Sequence, residues 1–117
     1  MHETSLINYA LDAVEARAKE LGVEEVMEVG LVIGRMKAVP QLMEHAFQIV
    51  RNRHPLCRNA RLHLEMRDIR LRCLDCNAEF NAEGAMSQFV CPECGSECNT
   101  VIEGNELLVD YFIPQMR

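Results

Sequence analysis

Tryptophan is absent from the sequence, and four Phe and two Tyr are its only aromatic residues. The chain is 117 residues long, the size of one ordinary domain. A chain this short buries a modest core, so a metal crosslink would matter to its stability. Positive charge is also scarce. The 12 Lys and Arg are outnumbered by 18 Asp and Glu, for a net charge of −6. That balance disfavours nucleic acid as the main partner, because phosphate contacts need a basic face. No stretch approaches the ~18 apolar residues of a membrane span. The first residues, His2, Glu3 and Thr4, are polar, and no basic start precedes an apolar run. The expectation is a cytoplasmic protein without a membrane partner. No nucleophile motif or Gly-x-x-x-x-Gly-Lys-Ser/Thr loop occurs, so any GTP hydrolysis must come from a partner, and catalysis is not expected. Disorder is not expected either, at 49% hydrophobic and 26% charged residues.

Cysteine, by contrast, is plentiful. Six in a chain expected to sit in a reducing compartment read as metal ligands rather than disulfides. Cys73-Leu74-Asp75-Cys76 and Cys91-Pro92-Glu93-Cys94-Gly95 are separated by fourteen residues. A two-residue spacer lets both sulfurs of a pair turn toward one ion, and Gly95 allows tight backbone approach. Zinc binds thiolates well and takes four tetrahedral ligands, so four sulfurs give a closed, structural site. The segment between the pairs, with Phe80, Met86, Phe89 and Val90, suits a short hairpin under the metal. Two other readings compete: a red, redox-active tetrathiolate iron site of rubredoxin type, and a redox dithiol. The dithiol requires a thioredoxin-like βαβ setting that the sequence lacks. Cys98 and Cys57 read as spare thiols, Cys98 being close enough to Cys94 to replace a ligand.

Around this motif the pattern is α+β. Residues 5 to 21 predict an amphipathic helix with Leu6, Tyr9, Ala10, Ala13, Val14, Arg17 and Leu21 on one face. Thr4 or Ser5 can cap it and Gly22 can end it. Residues 24 to 33 predict a strand buried on both faces, since Val26, Met27, Val29, Leu31, Val32 and Ile33 do not alternate cleanly. Residues 40 to 53 predict a second helix, with Pro40 at its first turn, an apolar face of Leu42, Met43, Ala46, Phe47, Ile49 and Val50, and an end at His54-Pro55. Residues 60 to 72 alternate as one long strand running into Cys73, and 106 to 113 give a last strand after a turn at Gly104-Asn105. The outline is a small mixed or antiparallel three-stranded sheet with two helices, plus an inserted zinc-ribbon-like module. It divides into 1–70 with 105–117, and an insert at 71–104. The strands flanking the insert are expected to pair antiparallel.

Met1-His2-Glu3 is unremarkable as composition, yet it has chelating chemistry. Met1 is expected to be retained, because the bulky His2 blocks its removal. The Met1 amine, the His2 amide and the His2 imidazole can close fused rings on one ion, and the Glu3 amide can add a fourth nitrogen. A planar set of four nitrogens suits Ni(II) or Cu(II) and not Zn(II).

Taken together, these residues resemble the HypA/HybF family of hydrogenase nickel-incorporation proteins. The likeness runs from Met1-His2-Glu3 and its apolar helix, through the Val29-Gly30 strand, the Pro40 helix and the paired cysteines. It ends in Cys91-Pro92-Glu93-Cys94-Gly95-Ser96 and Gly104-Asn105-Glu106-Leu107. Where many members have Glu-Leu-Ser after the Val-Gly pair, this chain has Leu31-Val32-Ile33-Gly34. The resemblance implies a nickel metallochaperone for [NiFe]-hydrogenase maturation, and in some bacteria for urease with its accessory proteins. It implies Ni(II) cargo at His2 with Met1 and Glu3, and Zn(II) at Cys73, Cys76, Cys91 and Cys94. It also implies a HypB-type GTPase and the hydrogenase large subunit as partners. Monomer and homodimer are both compatible with it.

The remaining candidates read as structural. His45 lies on a helix face, His54 at a helix end where a cation suits the dipole, and His63 on the polar face of a strand. Glu24, Glu25 and Glu28 read as solvated acids able to attract a divalent cation. The competing function is a zinc-ribbon module that binds protein or nucleic acid through Arg67, Arg70 and Arg72.

Overall fold

The computed structural model describes residues 2–82 and 89–115. The chain opens with helix α1 (Glu3–Glu20), strand β1 (Val26–Gly34) and helix α2 (Pro40–Val50). Short 3-10 turns at Arg51–Arg53 and Pro55–Cys57 lead into β2 (Arg61–Arg67). Strands β3 (Arg70–Cys73), β4 (Glu79–Asn81), β5 (Asn99–Glu103) and β6 (Leu107–Pro114) follow.

Helix α1 starts on His2, which has extended backbone and makes no side-chain cap, so neither Thr4 nor Ser5 caps it as expected. It ends where the Gly22 N–H reaches the Lys19 carbonyl at 3.1 Å and the Val23 N–H reaches Ala18 at 2.8 Å. Its buried face is Leu6, Ile7, Ala10, Leu11, Val14, Glu15 and Ala18. The stripe read from the sequence is rotated from this one: Tyr9 is 65% and Leu21 57% exposed. In α2, Pro40 occupies the first turn as expected. Met43, Ala46, Phe47 and Val50 are buried, while Leu42 and Ile49 face outward.

Strand β1 is central in a mixed three-stranded sheet of order β2-β1-β6, parallel to β2 and antiparallel to β6. Being central, it is buried along most of its length, and Val29, Leu31 and Ile33 meet α1 and α2 in the core with Phe47. Strand β2 alternates perfectly, with Leu62, Leu64 and Met66 turned to that core.

The expected long strand over 60–72 is two strands in two different sheets. The apolar positions change phase between Met66 and Ile69, and a one-residue slip turns every later side chain to the other face. The chain therefore breaks at Asp68-Ile69 and β3 starts a second, antiparallel sheet of order β4-β3-β5. The flanking strands β2 and β6 do not pair with each other, contrary to expectation. They lie on opposite sides of β1. The antiparallel closure is made instead by β3 with β5. Between the two sheets the backbones touch. A Cβ on Gly34 would lie 1.9 Å from the Gly104 carbonyl oxygen. Met36 N–H donates to that same oxygen at 2.9 Å, and Arg35 N–H donates to the Arg67 carbonyl at 2.9 Å. Gly104 itself has φ +107°, which a side chain would strain. The molecule is elongated, 57 × 24 × 18 Å.

Candidate metal centre

The two cysteine pairs build the same turn twice. In the first, the Asn77 N–H donates to the Cys73 carbonyl at 2.9 Å and the Cys73 N–H to Ala78 at 2.8 Å. In the second, the Gly95 N–H donates to Cys91 at 2.9 Å and the Cys91 N–H to Ser96 at 2.9 Å. Each turn needs a left-handed residue just after its second cysteine. Asn77 at φ 66° and Gly95 at φ 75° supply it, the two residue types that tolerate that conformation. The turns are tied together by the Leu74 N–H donating to Cys98 at 2.8 Å and by a short hydrogen bond from Ser96 Oγ to Asp75.

This pairing gathers four sulfurs. Cys73 Sγ lies 3.5 Å from Cys94 Sγ, and Cys76 Sγ 3.5 Å from Cys91 Sγ. All four atoms fall within 4.8 Å of one another. A tetrahedron of thiolates about 2.3 Å from zinc has edges of about 3.8 Å, so the cage fits a zinc site. Cys73 and Cys91 are buried, and Cys76 and Cys94 exposed. The protonation balance suits a dication. Burial pushes the Cys73 thiol up, but the Cys76 and Asp75 amides and the Cys94 and Cys76 thiols around it prevail and bring it down to about 7. Cys94 is pushed up to about 12: the Ser96 amide favours its thiolate, but Cys73, burial and the other two cysteines outweigh it. One thiolate forms readily and opposes the others, a conflict that a 2+ charge removes.

The expected hairpin beneath the metal takes a different form. β4 pairs with β3, closing a hairpin around the first knuckle, while Phe89 and Val90 are in no strand and Met86 lies outside the described residues. Cys98 stays outside the sulfur cluster and contributes through its carbonyl. Cys57 is fully buried, and burial together with the Glu15 charge pushes its thiol up to about 12.

At the other end of the chain, His2 is exposed and Glu3 half-buried at the start of α1. Met1 lies outside the described residues. The first helical hydrogen bond is Leu6 N–H to the His2 carbonyl at 3.1 Å. His45 and His63 are exposed. Glu25 accepts from Asn59 at 2.9 Å, and Glu28 accepts from Tyr111 at 2.6 Å. Arg67 is paired with Glu65 and Glu103, and Arg70 with Glu79, so the only basic cluster of the competing reading is largely neutralised. His54 stands at the end of the 3-10 turn after α2, as the sequence implies, but it is 4% exposed and packs against Glu15 and Asn8, partners the sequence reading did not name. The available signal was Glu15 itself, an acid four residues after Leu11 and three before Ala18 on the buried face.

A mixed sheet backed by two helices, joined to a ribbon whose two knuckles collect four thiols, defines a small metal-binding α+β protein. The chain belongs to the HypA family, described as "Hydrogenase/urease nickel incorporation, metallochaperone, hypA", whose pattern it matches over residues 1–113. A hydrogenase maturation factor HypA from Moorella thermoacetica is 36% identical over 115 residues, 96% of this chain and 97% of that one. The one from Aquifex aeolicus is 30% identical over 110 residues, 93% of each chain. The solution structure of the Ni metallochaperone HypA from Helicobacter pylori superposes over 100% of both chains, with a TM-score of 0.70 and 26% identity. The family is one of metallochaperones that act in hydrogenase maturation, not of catalytic enzymes. Among the described residues no helix is long and apolar enough to cross a membrane.

Proposed function

We propose that this chain carries Ni(II) on its N-terminal residues and delivers it to the large subunit of a [NiFe]-hydrogenase. Membership of a nickel-incorporation family supports this reading. So does the position of His2, exposed at the start of α1, just where a helix leaves backbone N–H groups without internal acceptors. The His2 and Glu3 amides are therefore not held by helical hydrogen bonds. With the His2 imidazole and the Met1 amine they make a four-nitrogen set suited to square-planar Ni(II). An exposed, local site at a chain end also releases its cargo readily. Cys73, Cys76, Cys91 and Cys94 would hold a structural Zn(II), which supplies charge neutralisation and a crosslink between the knuckles. Residues 1–70 and 105–117 form the nickel-binding unit in this reading, and 71–104 the zinc module. The start of β3 at Arg70 and the end of β5 at Glu103 are consistent with those limits. A HypB-type GTPase supplies nickel to the chain in the cytoplasm, and urease accessory proteins are alternative recipients.

The test is a nickel titration of untagged protein beside His2→Ala and a form extended at its N-terminus. Both changes are expected to abolish tight nickel binding while leaving one zinc per chain. Full-strength uptake by either would overturn the assignment.

A further inference from the structure

Asn8, Asp12 and Glu15 line one side of α1 and meet the segment that follows α2. His54 enters between them and is 4% exposed. Its Nε2 lies 3.0 Å from Asn8 Oδ1. Its Nδ1 lies 2.9 Å from Glu15 Oε1 and 3.5 Å from Asp12 Oδ1. The second Glu15 oxygen accepts the Leu56 N–H at 2.9 Å, which anchors that carboxylate against the same segment.

Three oxygen acceptors thus surround one ring, and a neutral imidazole has a single N–H. Either the ring carries a second proton and donates from both nitrogens, or, with its one hydrogen on Nε2 toward Asn8, the Nδ1 lone pair faces two carboxylate oxygens and a metal cation belongs between them. Among the described residues, no lysine or arginine pairs with Asp12 or Glu15. Among the described residues, His54 is the only ion-pair partner of Asp12 and Glu15. Glu15 is 9% exposed, and a carboxylate so buried needs a compensating charge. The Cys57 thiol, which the Glu15 charge reaches, stays protonated.

The spacing, which from Nδ1 to Glu15 is that of a hydrogen bond, also admits a metal. The three donor atoms lie within 4.8 Å of one another. A first-row dication about 2.1 Å from each donor places neighbouring donors roughly 3.0 Å apart in octahedral and 3.4 Å in tetrahedral geometry, and the two printed separations from Nδ1 are 2.9 and 3.5 Å. Asp12, with a side chain 74% exposed, provides the way in and leaves positions open to water. One imidazole and two carboxylates form the nitrogen–oxygen set that Ni(II), Co(II) and Zn(II) accept.

We propose that Asp12, Glu15 and His54 form a second divalent-cation site, separate from the thiolate cage and, at 1.5 Å rise per residue, about 15 Å along α1 from His2. It would hold a borderline dication on the helix that carries the proposed cargo site, without sharing a ligand with it. A site of this kind gives the protein a holding position for a second ion.

The experiment uses the zinc-loaded full chain carrying His2→Ala, titrated with Co(II) by absorbance and with Ni(II) by calorimetry. One further ion per chain is expected. Its affinity should fall at least tenfold when Asp12→Asn or His54→Gln is added. Asp12 is exposed, so the first of these variants keeps the fold even if the second does not. Paramagnetic broadening by Co(II) should centre on the Asn8, Asp12 and Leu56 amides. No uptake in the His2→Ala background would mean that a proton, or a turned Asn8 amide, satisfies the ring, and would end the proposal. Unchanged affinity in Asp12→Asn, or broadening centred on His45 or His63, would end it equally. The N-terminal assignment is tested separately: the wild-type chain should bind one more, tighter Ni(II) than His2→Ala, and equal nickel stoichiometry in the two would count against that assignment alone.

Discussion

At the scale of single residues, the cysteines divide by environment rather than by spacing alone. Cys57 and Cys73 are both buried, yet one thiol is pushed up to about 12 and the other brought down to about 7. The difference lies in neighbours. Cys57 has apolar packing and the Glu15 carboxylate, both of which oppose a thiolate, whereas Cys73 receives backbone amides. Because the folded state holds the Cys57 proton more tightly than the unfolded chain, at about 12 against 9.0, the contribution of that thiol to stability is full below pH 9. It is lost as pH rises from 9 toward 12. Urea midpoints should therefore fall through that range, and the fall should be shallower in Cys57→Ala. An identical slope in both proteins would refute the assignment. Spacing disclosed the thiolate cage. It could not disclose the pairing of His54 with Glu15, since those residues are 39 positions apart and meet only after α1 packs on the segment following α2.

At the scale of elements, the joint between the two sheets brings backbone against backbone with no space for a side chain. Gly34, at the end of β1, leaves no room for a Cβ against the Gly104 carbonyl, and backbone cannot retreat as a side chain can. Gly34→Ala should lower stability by about 1–3 kcal/mol or more, the usual penalty of overpacking, read as a lower urea midpoint. The exposed Arg35–Asp68 ion pair over the same joint, 2.7 Å long, should matter far less, because exposed pairs contribute roughly 0–1 kcal/mol. A large effect of Arg35→Ala with none of Gly34→Ala would reverse that ranking. Two elements were legible only in part. The alternation of 60 to 72 announced strand, but its phase slip after Met66, the mark of a break, is easily read through. For α1 the apolar residues lie on overlapping stripes, and only contact with β1 and α2 selects Ile7, Leu11 and Ala18 over Tyr9 and Leu21.

For the whole molecule, the two sheets share no strand pairing, and each is expected to lose order without the other. Removing the metal proposed at the four cysteines should strip hydrogen-exchange protection from residues 70–103 while leaving α1, β1 and α2 protected. The binding energy at stake, on the order of 10–16 kcal/mol for a structural zinc, exceeds what so small a sheet can recover from packing. Uniform loss of protection would mean that the four-cysteine ribbon and the helical part fold as one. The sequence by itself determined the helices, the β1 and β6 strands, the thiolate cage and the family likeness, because each rests on local periodicity or on motifs whose residues are close along the chain. Tertiary structure alone decided that β1 is shared between β2 and β6, that β3 leaves for a second sheet, and that His54 sits among Asn8, Asp12 and Glu15. Those outcomes depend on which distant surfaces exclude water together, and that is a property of the packed chain rather than of any window within it.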